Sequence, residues 1–365
     1  MQKIPNWADV VLVPLISLLL AAIISAIVLL IIGQNPIEAL GILISGALGT
    51  STNLSYTLYY TTNFIFTGLA VAVAYHARLF NIGAEGQAYV GGLGAALACL
   101  YVPWPHWTIA LIGAGATAAI FGAAWAAIPA YLQAKRGSHI VITTIMFNYI
   151  SYPLLNYLLN GPIKAEGMEA ATPSFASNTH LPNLSEVLGF FGIEFARTGP
   201  ANVALIVALI ACVGVWALIW RTKLGYETRA YGESEPAAKY AGINPTKIIM
   251  VAMLISGGLA GMMAINNVMG EAERLVLNAV EGAGFIGIAV ALMGRNHPFG
   301  ILLAALLFGA LYQGGAELSA EMRIPREMVT VIQALVILFT GALDNMVRMP
   351  IEKIFLMIRN NKEAN

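Results

Sequence analysis

Residues 221–247 read RTKLGYETRAYGESEPAAKYAGINPTK, and this polar stretch interrupts long apolar runs on both sides. Ser234 or Glu235 can cap the start of a short helix, and Pro236 fits its first turn, where the missing N–H costs no hydrogen bond. Gly242 fits the left-handed position just past the end of that helix. A helix of two turns is not stable alone in water. Displayed between two membrane spans, it therefore predicts docking onto a soluble partner.

The composition places the chain in a lipid environment. Hydrophobic residues make up 58% of the 365 residues and charged residues only 10%, against about 25% charged residues in soluble domains. A soluble fold of this length cannot bury that much apolar surface. The formal net charge is zero, so the total gives no indication of nucleic-acid binding. Cys99 and Cys212 lie in apolar runs and are interpreted as packing residues.

Ten apolar segments are candidates to cross a membrane, which takes about 20 residues of helix. They lie near residues 10–32, 54–75, 82–101, 107–132, 139–159, 201–220, 247–269, 276–294, 299–315 and 326–344. The stretch between Glu281 and Arg295 is short for a span unless it begins earlier or is broken. The sequence predicts an all-α polytopic membrane protein with about ten transmembrane helices, forming one domain over residues 1–365.

The distribution of Lys and Arg predicts the orientation. With both termini in the cytoplasm, the inside segments hold fourteen of the 19 basic residues. The basic residues left outside are Lys164, Arg197, Arg274, Arg323 and Arg326. This asymmetry fits an even number of spans and predicts that segment 221–247 is cytoplasmic and that residues 160–200 form an external loop. That loop is interpreted either as a plain surface loop or as a docking surface or lid for an external delivery protein.

The sequence contains no catalytic constellation. The five histidines form no H-E-x-x-H pair, and there is neither a G-x-S-x-G elbow nor a G-x-x-x-x-G-K-[ST] loop that would bind ATP. If the protein uses ATP, another subunit must supply the site. The chain is therefore predicted not to be an enzyme and to hold no cofactor or metal of its own.

Two glycine-rich segments each place a carboxylate at the start of an apolar run. Residues 80–94 read FNIGAEGQAYVGGLG, and residues 281–300 read EGAGFIGIAVALMGRNHPFG. In the predicted topology they run in opposite directions, as an inverted repeat relating spans 2–5 to spans 7–10 would require. Glycine-interrupted membrane helices expose backbone to a cavity, which makes Glu85 a candidate to line the path. The alternative is a structural role, in which Glu85 accepts bonds from nearby glycine-rich backbone.

Amide side chains lie in or at the ends of several predicted spans. Each offers donors and an acceptor, which suits sugar hydroxyls and base edges. Hydrogen bonding between buried helices explains any one of them equally well. The residues predicted for the substrate path are Asn81, Glu85, Gln87, Asn148, Asn266 and Asn267.

Small residues recur at the spacing of helix–helix contacts. The series include Gly91 with Ala95, Gly122 with Ala126, and the group Gly257, Gly258 and Gly261. Such residues let membrane helices approach closely. Tight packing is the simpler interpretation, although a mobile bundle needs the same smooth surfaces.

Four blocks of the sequence, in order, resemble one family. They are FNIGAEGQ at 80–87, WAAIPAYLQAKRGSHIVITTIMFNYI at 125–150, RAYGESEPAAKYAGI at 229–243 and GAGFIGIAVALMGRNHPFG at 282–300. These blocks are similar to the permeases of ABC importers of the nucleoside and simple-sugar group, which are related to ribose-type and branched-chain amino-acid permeases. The resemblance runs from about residue 60 to 345 and departs at 138–139, where Ser-His stands in place of the Asn-Glu more common in relatives.

The resemblance implies a vitamin B12-type importer permease fold in a bacterial plasma (inner) membrane. It also implies a second permease subunit, identical or different, and an ABC ATPase that carries ATP and magnesium. A substrate-binding protein or lipoprotein would deliver the cargo from outside. The residues it implies for coupling to the ATPase are Arg229, Gly232, Pro236, Ala237, Ala238, Gly242 and Ile243.

The sequence thus favours a permease subunit that moves nucleosides inward by alternating access, driven by a separate ATPase. Simple sugars such as ribose are an alternative cargo. A secondary transporter driven by an ion gradient is another alternative, but it would need carboxylates near the membrane midplane, and the spans offer almost none. A membrane-embedded enzyme or a purely structural subunit are further alternatives, and the lack of clustered His, Asp and Glu argues against the enzyme.

Overall fold

The computed structural model describes residues 12–190, 192–339, 349–350 and 352–353. Within those ranges the chain is helical and forms no β-strand, which confirms the predicted all-α class. Its extended pairings there are isolated bridges, Ala171 with Val276 and Asn183 with Asn202. The chain divides into two compact units, one of residues 50–310 and the other of the residues before and after that range.

The described residues form fourteen α-helices, together with a 3₁₀ turn at Ser177–Thr179 and a π-helical segment at Ile265–Glu271. The helices are α1 (Val13–Ile31), α2 (Pro36–Leu48), α3 (Ser51–His76), α4 (Ala84–Tyr101), α5 (Trp107–Arg136), α6 (Ile140–Asn160), α7 (Leu184–Phe190), α8 (Ala204–Arg221), α9 (Lys223–Glu233), α10 (Glu235–Tyr240), α11 (Pro245–Met262), α12 (Ala283–Met293), α13 (Pro298–Glu321) and α14 (Arg326–Ile337).

Each of the ten predicted apolar segments contains a helix. Among the described residues, five helical stretches are long and apolar enough to cross a membrane, and a sixth results if α1 and α2, which meet at a bend of 118°, are counted as one broken span. The five are Ser51–His76, Trp107–Arg136, Ala204–Arg221, Pro245–Glu271 and Pro298–Glu321. The protein is therefore a polytopic membrane protein. Helix α12 has only 11 residues, as the short stretch before Arg295 predicted.

Helix α3 is enclosed over more than half of its length. Its residues from Thr61 to Ala74 are all buried. The hydroxyls of Thr61, Thr62 and Thr67 donate to backbone carbonyls one turn earlier, at 2.7, 2.8 and 3.0 Å. These bonds satisfy the three buried hydroxyls within the helix itself, so the hydroxyls need no partner from another helix.

Helices α4, α5 and α11 approach one another through glycine. A Cβ added to Gly261 would collide with the Ala118 carbonyl oxygen, and one added to Gly122 would collide with the Gly257 carbonyl oxygen. A Cβ on Gly91 would strike the backbone of Gly261. At these contacts there is no room for a methyl group, so the small-residue series on these three helices forms a tight packing surface.

The predicted external loop packs onto the turn that follows the π segment. The backbone N–H of Thr172 donates to the Leu275 carbonyl at 3.0 Å, and that of Phe175 donates to the Glu273 carbonyl at 2.9 Å. The Nδ1 atom of His180 also lies 3.0 Å from the Glu273 carboxylate. The loop is therefore tied to residues distant in sequence and forms an ordered part of the unit.

The second unit contains α1, α2, α14 and the part of α13 from Leu311 onward. Helix α2 is absent from the ten predicted segments, although its start signals are present in the sequence. Asn35 accepts the N–H of Ile37 at 3.0 Å, Pro36 occupies the first turn, and Glu38 follows it. An Asn cap, a Pro at the first position and an acid in the first turn are the usual features of a helix start.

The α11 glycines provide a matched test of this packing. Ala at position 261 would place a methyl group against the Ala118 carbonyl, whereas Ala at position 258 finds its nearest atom, the Ala119 oxygen, at 3.4 Å. We expect Gly261→Ala to lower the free energy of unfolding by about 1–3 kcal/mol, as overpacked cores do, and Gly258→Ala to stay near wild type. Thermal unfolding of the purified protein in detergent, followed by tryptophan fluorescence, measures both. Equal melting temperatures would contradict the packing surface.

Candidate functional site

Segment 221–247 folds as two short helices, α9 and α10, that meet at Ser234. The Ser234 hydroxyl oxygen accepts the backbone N–H of Ala237 at 3.4 Å, so Ser234 is the cap of α10. Pro236 lies in the first turn of α10, where its lack of an N–H leaves no helical bond unmade. The start signals predicted for this helix are confirmed.

The end of α10 also follows the prediction. Gly242 adopts a left-handed conformation with φ +83°. Its N–H donates to the Lys239 carbonyl at 3.0 Å, and the N–H of Ile243 donates to the Ala238 carbonyl at 2.9 Å. This pair of bonds closes the helix as a Schellman motif. A 2.7 Å ion pair between Glu235 and Lys239 spans one turn of α10, but both side chains are about half exposed, so it adds little stability.

Helix α10 has an inner and an outer face. Ala238 is 3% exposed and belongs to a buried cluster with residues of α5 and α11. Pro236, Ala237 and Gly242 lie on the exposed side. Tyr240 is 96% exposed and projects from the same short helix. Sequence reasoning missed Tyr240, and the one signal for it was an aromatic residue in a short helix that was predicted to dock.

Helix α9 is anchored to the end of α3. A Cβ added to Gly232 would collide with the His76 carbonyl oxygen, so the two backbones touch there. Tyr231 is 8% exposed. Burial, and then the nearby Glu235 carboxylate, raise the pKa of Tyr231, so its hydroxyl stays protonated at neutral pH. Arg229 lies beside this contact, partly buried.

Asn81 and Gln87 form a closed network with Ser256 of α11. The Asn81 amide nitrogen donates to the Gln87 carbonyl oxygen at 2.9 Å and to the Ser256 hydroxyl at 2.8 Å. The Gln87 nitrogen donates back to the Asn81 oxygen at 3.1 Å, and Ser256 donates to the Ala70 carbonyl at 2.6 Å. All three side chains are at most 1% exposed. The network ties α3, α4 and α11 together.

Glu85 joins the starts of α4 and α12. Its two carboxylate oxygens accept the backbone N–H groups of Gly282 at 2.9 Å and Gly284 at 2.8 Å. A Cβ added to Gly284 would collide with the backbone of Glu85. Because a helix start carries partial positive charge, a carboxylate between two such starts is favourably placed. This contact is the one that the structural alternative for Glu85 predicts, and it brings the two glycine-rich segments together.

Asn148 fastens α6 to the same place. Its oxygen accepts the N–H of Gly86 at 2.9 Å, and its nitrogen donates to the Ile82 carbonyl at 2.8 Å. Four of the six residues predicted for the path therefore converge on the first turn of α4. In this conformation their polar atoms are occupied by the protein itself.

The other two predicted residues lie on the π segment. The Asn266 nitrogen donates to the Asn63 oxygen at 2.7 Å, and the Asn266 oxygen accepts from Asn202 at 2.9 Å. The Asn267 nitrogen donates to the Ala279 carbonyl, while its oxygen is buried with no partner among the described residues. A cavity of about 10 Å³, room for one water molecule, lies beside Asn267. π segments often occur at functional sites.

The polar side chains of these networks are mostly amides and a hydroxyl, which pair with neutral hydrogen-bonding groups. Across the described ranges, no group of three or more His, Cys, Asp and Glu side chains is placed to hold a metal ion. The helices long enough to cross a membrane and their glycine contacts define a polytopic α-helical membrane protein, with helix α10 displayed at its surface.

Residues 53–341 match the family described as branched-chain amino acid transport system, permease component. The chain belongs to this family. The match contains both glycine-rich segments, the 221–247 segment and residues 160–200 in full, and it confirms the resemblance inferred from the four blocks.

Three relatives align over nearly the whole chain. The guanosine ABC transporter permease protein NupP of Bacillus subtilis is 35% identical over 91% of this chain and 93% of its own length. The nucleoside ABC transporter permease protein NupB of Lactococcus lactis is 34% identical over 92% and 91%. The glucose ABC transporter permease protein TsgB13 of Haloferax volcanii is 31% identical over 93% and 88%. No solved structure matches the chain.

Variants of Glu85 test whether this residue stabilises the fold or lines the substrate path. Glu85→Ala leaves the N–H groups of Gly282 and Gly284 without acceptors, and we expect a loss of about 1–3 kcal/mol of stability for each. Glu85→Gln keeps one oxygen and should lose less. Melting temperature and uptake are measured together for each variant, with the exposed Glu281→Gln as the control. A Glu85→Ala protein that melts like wild type but does not transport would contradict the structural role.

Proposed function

We propose that the chain is the transmembrane permease subunit of an ABC importer that moves nucleosides into the cell. The observation that carries this proposal is the similarity to two permeases named for guanosine and for nucleosides, each aligned over at least 91% of this chain. The amide-rich starts of α4 and the π segment suit a polar, uncharged cargo of this kind.

Simple sugars are the second candidate cargo. A permease named for glucose is 31% identical over 93% of this chain, and sugar hydroxyls need the same donors and acceptors as ribose does. A secondary transporter has less support, because its coupling ion would need a free carboxylate. Glu85, the acid at the start of α4, already binds two backbone N–H groups.

In this proposal residues 1–365 form one permease domain with about ten spans, in a vitamin B12-type importer fold with an inverted repeat. Support comes from the helix found in each predicted segment and from the contact between the starts of α4 and α12. Residues 221–247 and both termini face the cytoplasm, as the Lys and Arg distribution favours. Both termini lie outside the described residues.

The partner beneath the membrane is an ABC ATPase, which holds ATP and magnesium and receives the exposed face of α10. Pro236, Ala237, Tyr240 and Gly242 supply that face. The inner face conveys displacement, because Ala238 is packed into the cluster of α5 and α11 residues. Gly232 links α9 to the end of α3 in the same way. Force on α10 therefore reaches three helices of the 50–310 unit.

The coupling residues thus divide into two sets. The exposed set contacts the ATPase, and the buried set keeps α9 and α10 attached while they move. Ile243 belongs with the buried set, since it packs against the Ala238 cluster. Arg229, also on α9, lines a cavity, and its buried Nε atom has no hydrogen-bond partner among the described residues.

A second permease subunit, identical or different, is also part of the proposal. Helix α6 leaves polar and aromatic groups exposed on one face, among them Tyr149, Asn156 and Tyr157. The Asn156 amide oxygen accepts from Asn160 at 2.9 Å, but facing hydrocarbon its amide nitrogen would have no acceptor. A second subunit placed against this face would cover it and complete a path between the two. An external substrate-binding protein or lipoprotein docks on the ordered loop at 160–200.

The docking role of α10 has a direct test. Tyr240→Ala removes the exposed ring without touching the core, because the side chain is 96% exposed. We expect the association constant for the ATPase to fall by about tenfold or more, as for an aromatic residue central to an interface. Co-purification and titration of the ATPase onto the reconstituted permease measure the change. The control is Lys223→Ala on α9, whose side chain is 89% exposed. Equal binding by Tyr240→Ala and wild type would contradict docking at α10.

The cargo is tested by uptake into vesicles that contain the full transporter with all partners. We expect ATP-dependent accumulation of labelled uridine and adenosine, and much less of labelled ribose. Accumulation of ribose alone would instead favour the simple-sugar alternative. Uptake driven by an ion gradient without the ATPase would overturn the proposal.

A further inference from the structure

A cavity of about 960 Å³ opens at the end of the 50–310 unit that carries α9. Its walls come from the end of α3, the end of α8, α9 and the turn after α12. This cavity is separate from the polar networks at the start of α4. Its volume falls in the range of small-molecule sites, roughly 300–1,000 Å³.

The charges that line the cavity are mostly positive. Arg78, Arg229 and Arg295 line it, against one carboxylate, that of Glu233. In the part of the chain that the structure describes, neither Arg78 nor Arg229 forms an ion pair with a carboxylate. The Nε atom of Arg229 is buried and has no hydrogen-bond partner within the described ranges. Guanidinium groups placed in this way bind carboxylates or phosphates.

A second polar residue at the cavity is also incompletely paired. Asn296 is 8% exposed, and its side-chain oxygen has no hydrogen-bond partner among the described residues. Its backbone carbonyl lies 3.1 Å from Nε2 of His76. An unpaired amide oxygen favours a ligand that carries a hydroxyl or N–H donor. Small side-chain rotations on ligand binding are common, so buried unpaired atoms at the wall of a cavity can pair with a ligand.

Aromatic side chains complete the walls. Trp220 lines the cavity and contacts the His76 ring edge to face, with ring centres 5.2 Å apart. Tyr75 and Phe80 lie on the same wall, also edge to face, at 6.4 Å. The guanidinium groups can bind a phosphate. The neighbouring aromatic side chains can contact a flat base or an apolar glycerol backbone.

We propose that this cavity binds a phosphate ester that also carries hydroxyl or N–H donors. Two sources offer that chemistry: a nucleoside monophosphate and the headgroup of an anionic phospholipid such as phosphatidylglycerol. The inference rests on the proposed function in one respect, which is that the cavity faces the cytoplasm. The cavity lies beside α9, and the proposed function places α9 on the cytoplasmic side. Both sources are available on that side.

The test uses the complete transporter in phosphatidylcholine nanodiscs and measures binding of uridine 5′-monophosphate. Excess uridine is present throughout, so that a cargo site on the path stays filled. Arg78→Asn removes the guanidinium, and Asn tolerates the left-handed backbone at this position, where φ is +54°. We expect binding to weaken by about tenfold or more, as for loss of a charged hydrogen bond.

Two further variants keep the test sharp. Arg78→Lys retains the charge and should retain most of the binding. Arg221→Gln should bind like wild type, because Arg221 stacks on Trp216 at 5.0 Å and does not line the cavity. If Arg78→Asn does not fold, Arg295→Asn replaces it, since φ is +53° there. Complex assembly is checked by gel filtration for each variant.

The lipid arm repeats the measurement in nanodiscs that contain phosphatidylglycerol, with retained lipid identified by native mass spectrometry. Loss of phosphatidylglycerol retention in Arg78→Asn supports the lipid source, and loss of nucleotide binding supports the nucleotide source. If neither probe depends on Arg78, the proposal is overturned. It is also overturned if the nucleotide binds only after the ATPase is removed, because the partner protein then fills the cavity. The uridine uptake experiment does not change the result of this binding experiment. Failure of the import proposal can therefore be distinguished from failure of the phosphate-ester proposal.

Discussion

The carboxylate of Glu85 is the contact on which the polar interior of the 50–310 unit depends. It is buried, and it is stable there only because two backbone N–H groups, from Gly282 and Gly284, point at its oxygens. Gly284 must be glycine for those groups to come close enough, since a side chain would strike the backbone of Glu85. The first turn of α4 is thereby fixed, and the bonds from Asn81 and Asn148 are made to that fixed turn.

The same physical rule governs the apolar interior. In lipid the hydrophobic effect does not drive helices together, so van der Waals packing at close backbone contacts must stabilise their association. Gly122, Gly257 and Gly261 allow α5 and α11 to meet backbone to backbone. The buried amides then fix how the helices align, because their hydrogen bonds can form in only one register. Packing and polar networks therefore specify the same arrangement of α3, α4, α5 and α11.

How much could be predicted from the sequence depended on whether the determining contact was local. The caps of α10 were predictable, because Ser234, Pro236 and Gly242 act within a few residues of one another. The partner of Glu85 was not, because Gly282 is 197 residues away and amide or carboxylate side chains give no sign of which backbone they meet. The two glycine-rich segments were predicted to cross the membrane in opposite directions, which indicated an inverted repeat. That pattern did not predict that the helices starting in the two segments touch at their first turns.

Exposure was likewise beyond the reach of the pattern. Nothing in the order of residues 235–242 separates Ala238, which is buried, from Tyr240, which is almost fully exposed, because a helix of 6 residues is too short for a periodicity to establish a face. Helix α2 was missed for a different reason. It has 13 residues, too few to cross a membrane, so a search for segments of about 20 apolar residues leaves it out, and only the cap at Asn35 marks its start.

These constraints determine how α10 can act on the rest of the unit. The glycine contacts between α5 and α11 leave no free space, so these helices cannot slide past each other without a clash. Helix α9 is equally confined at both ends, because Gly225 touches the end of α8 and Gly232 touches the end of α3. In the proposed coupling, a push on α10 would be transmitted as a tilt of whole helices, because these contacts leave too little room for local bending. Such a tilt would act on the hydrogen bonds that join the first turn of α4 to α6 and α12, which include four of the side chains predicted for the path.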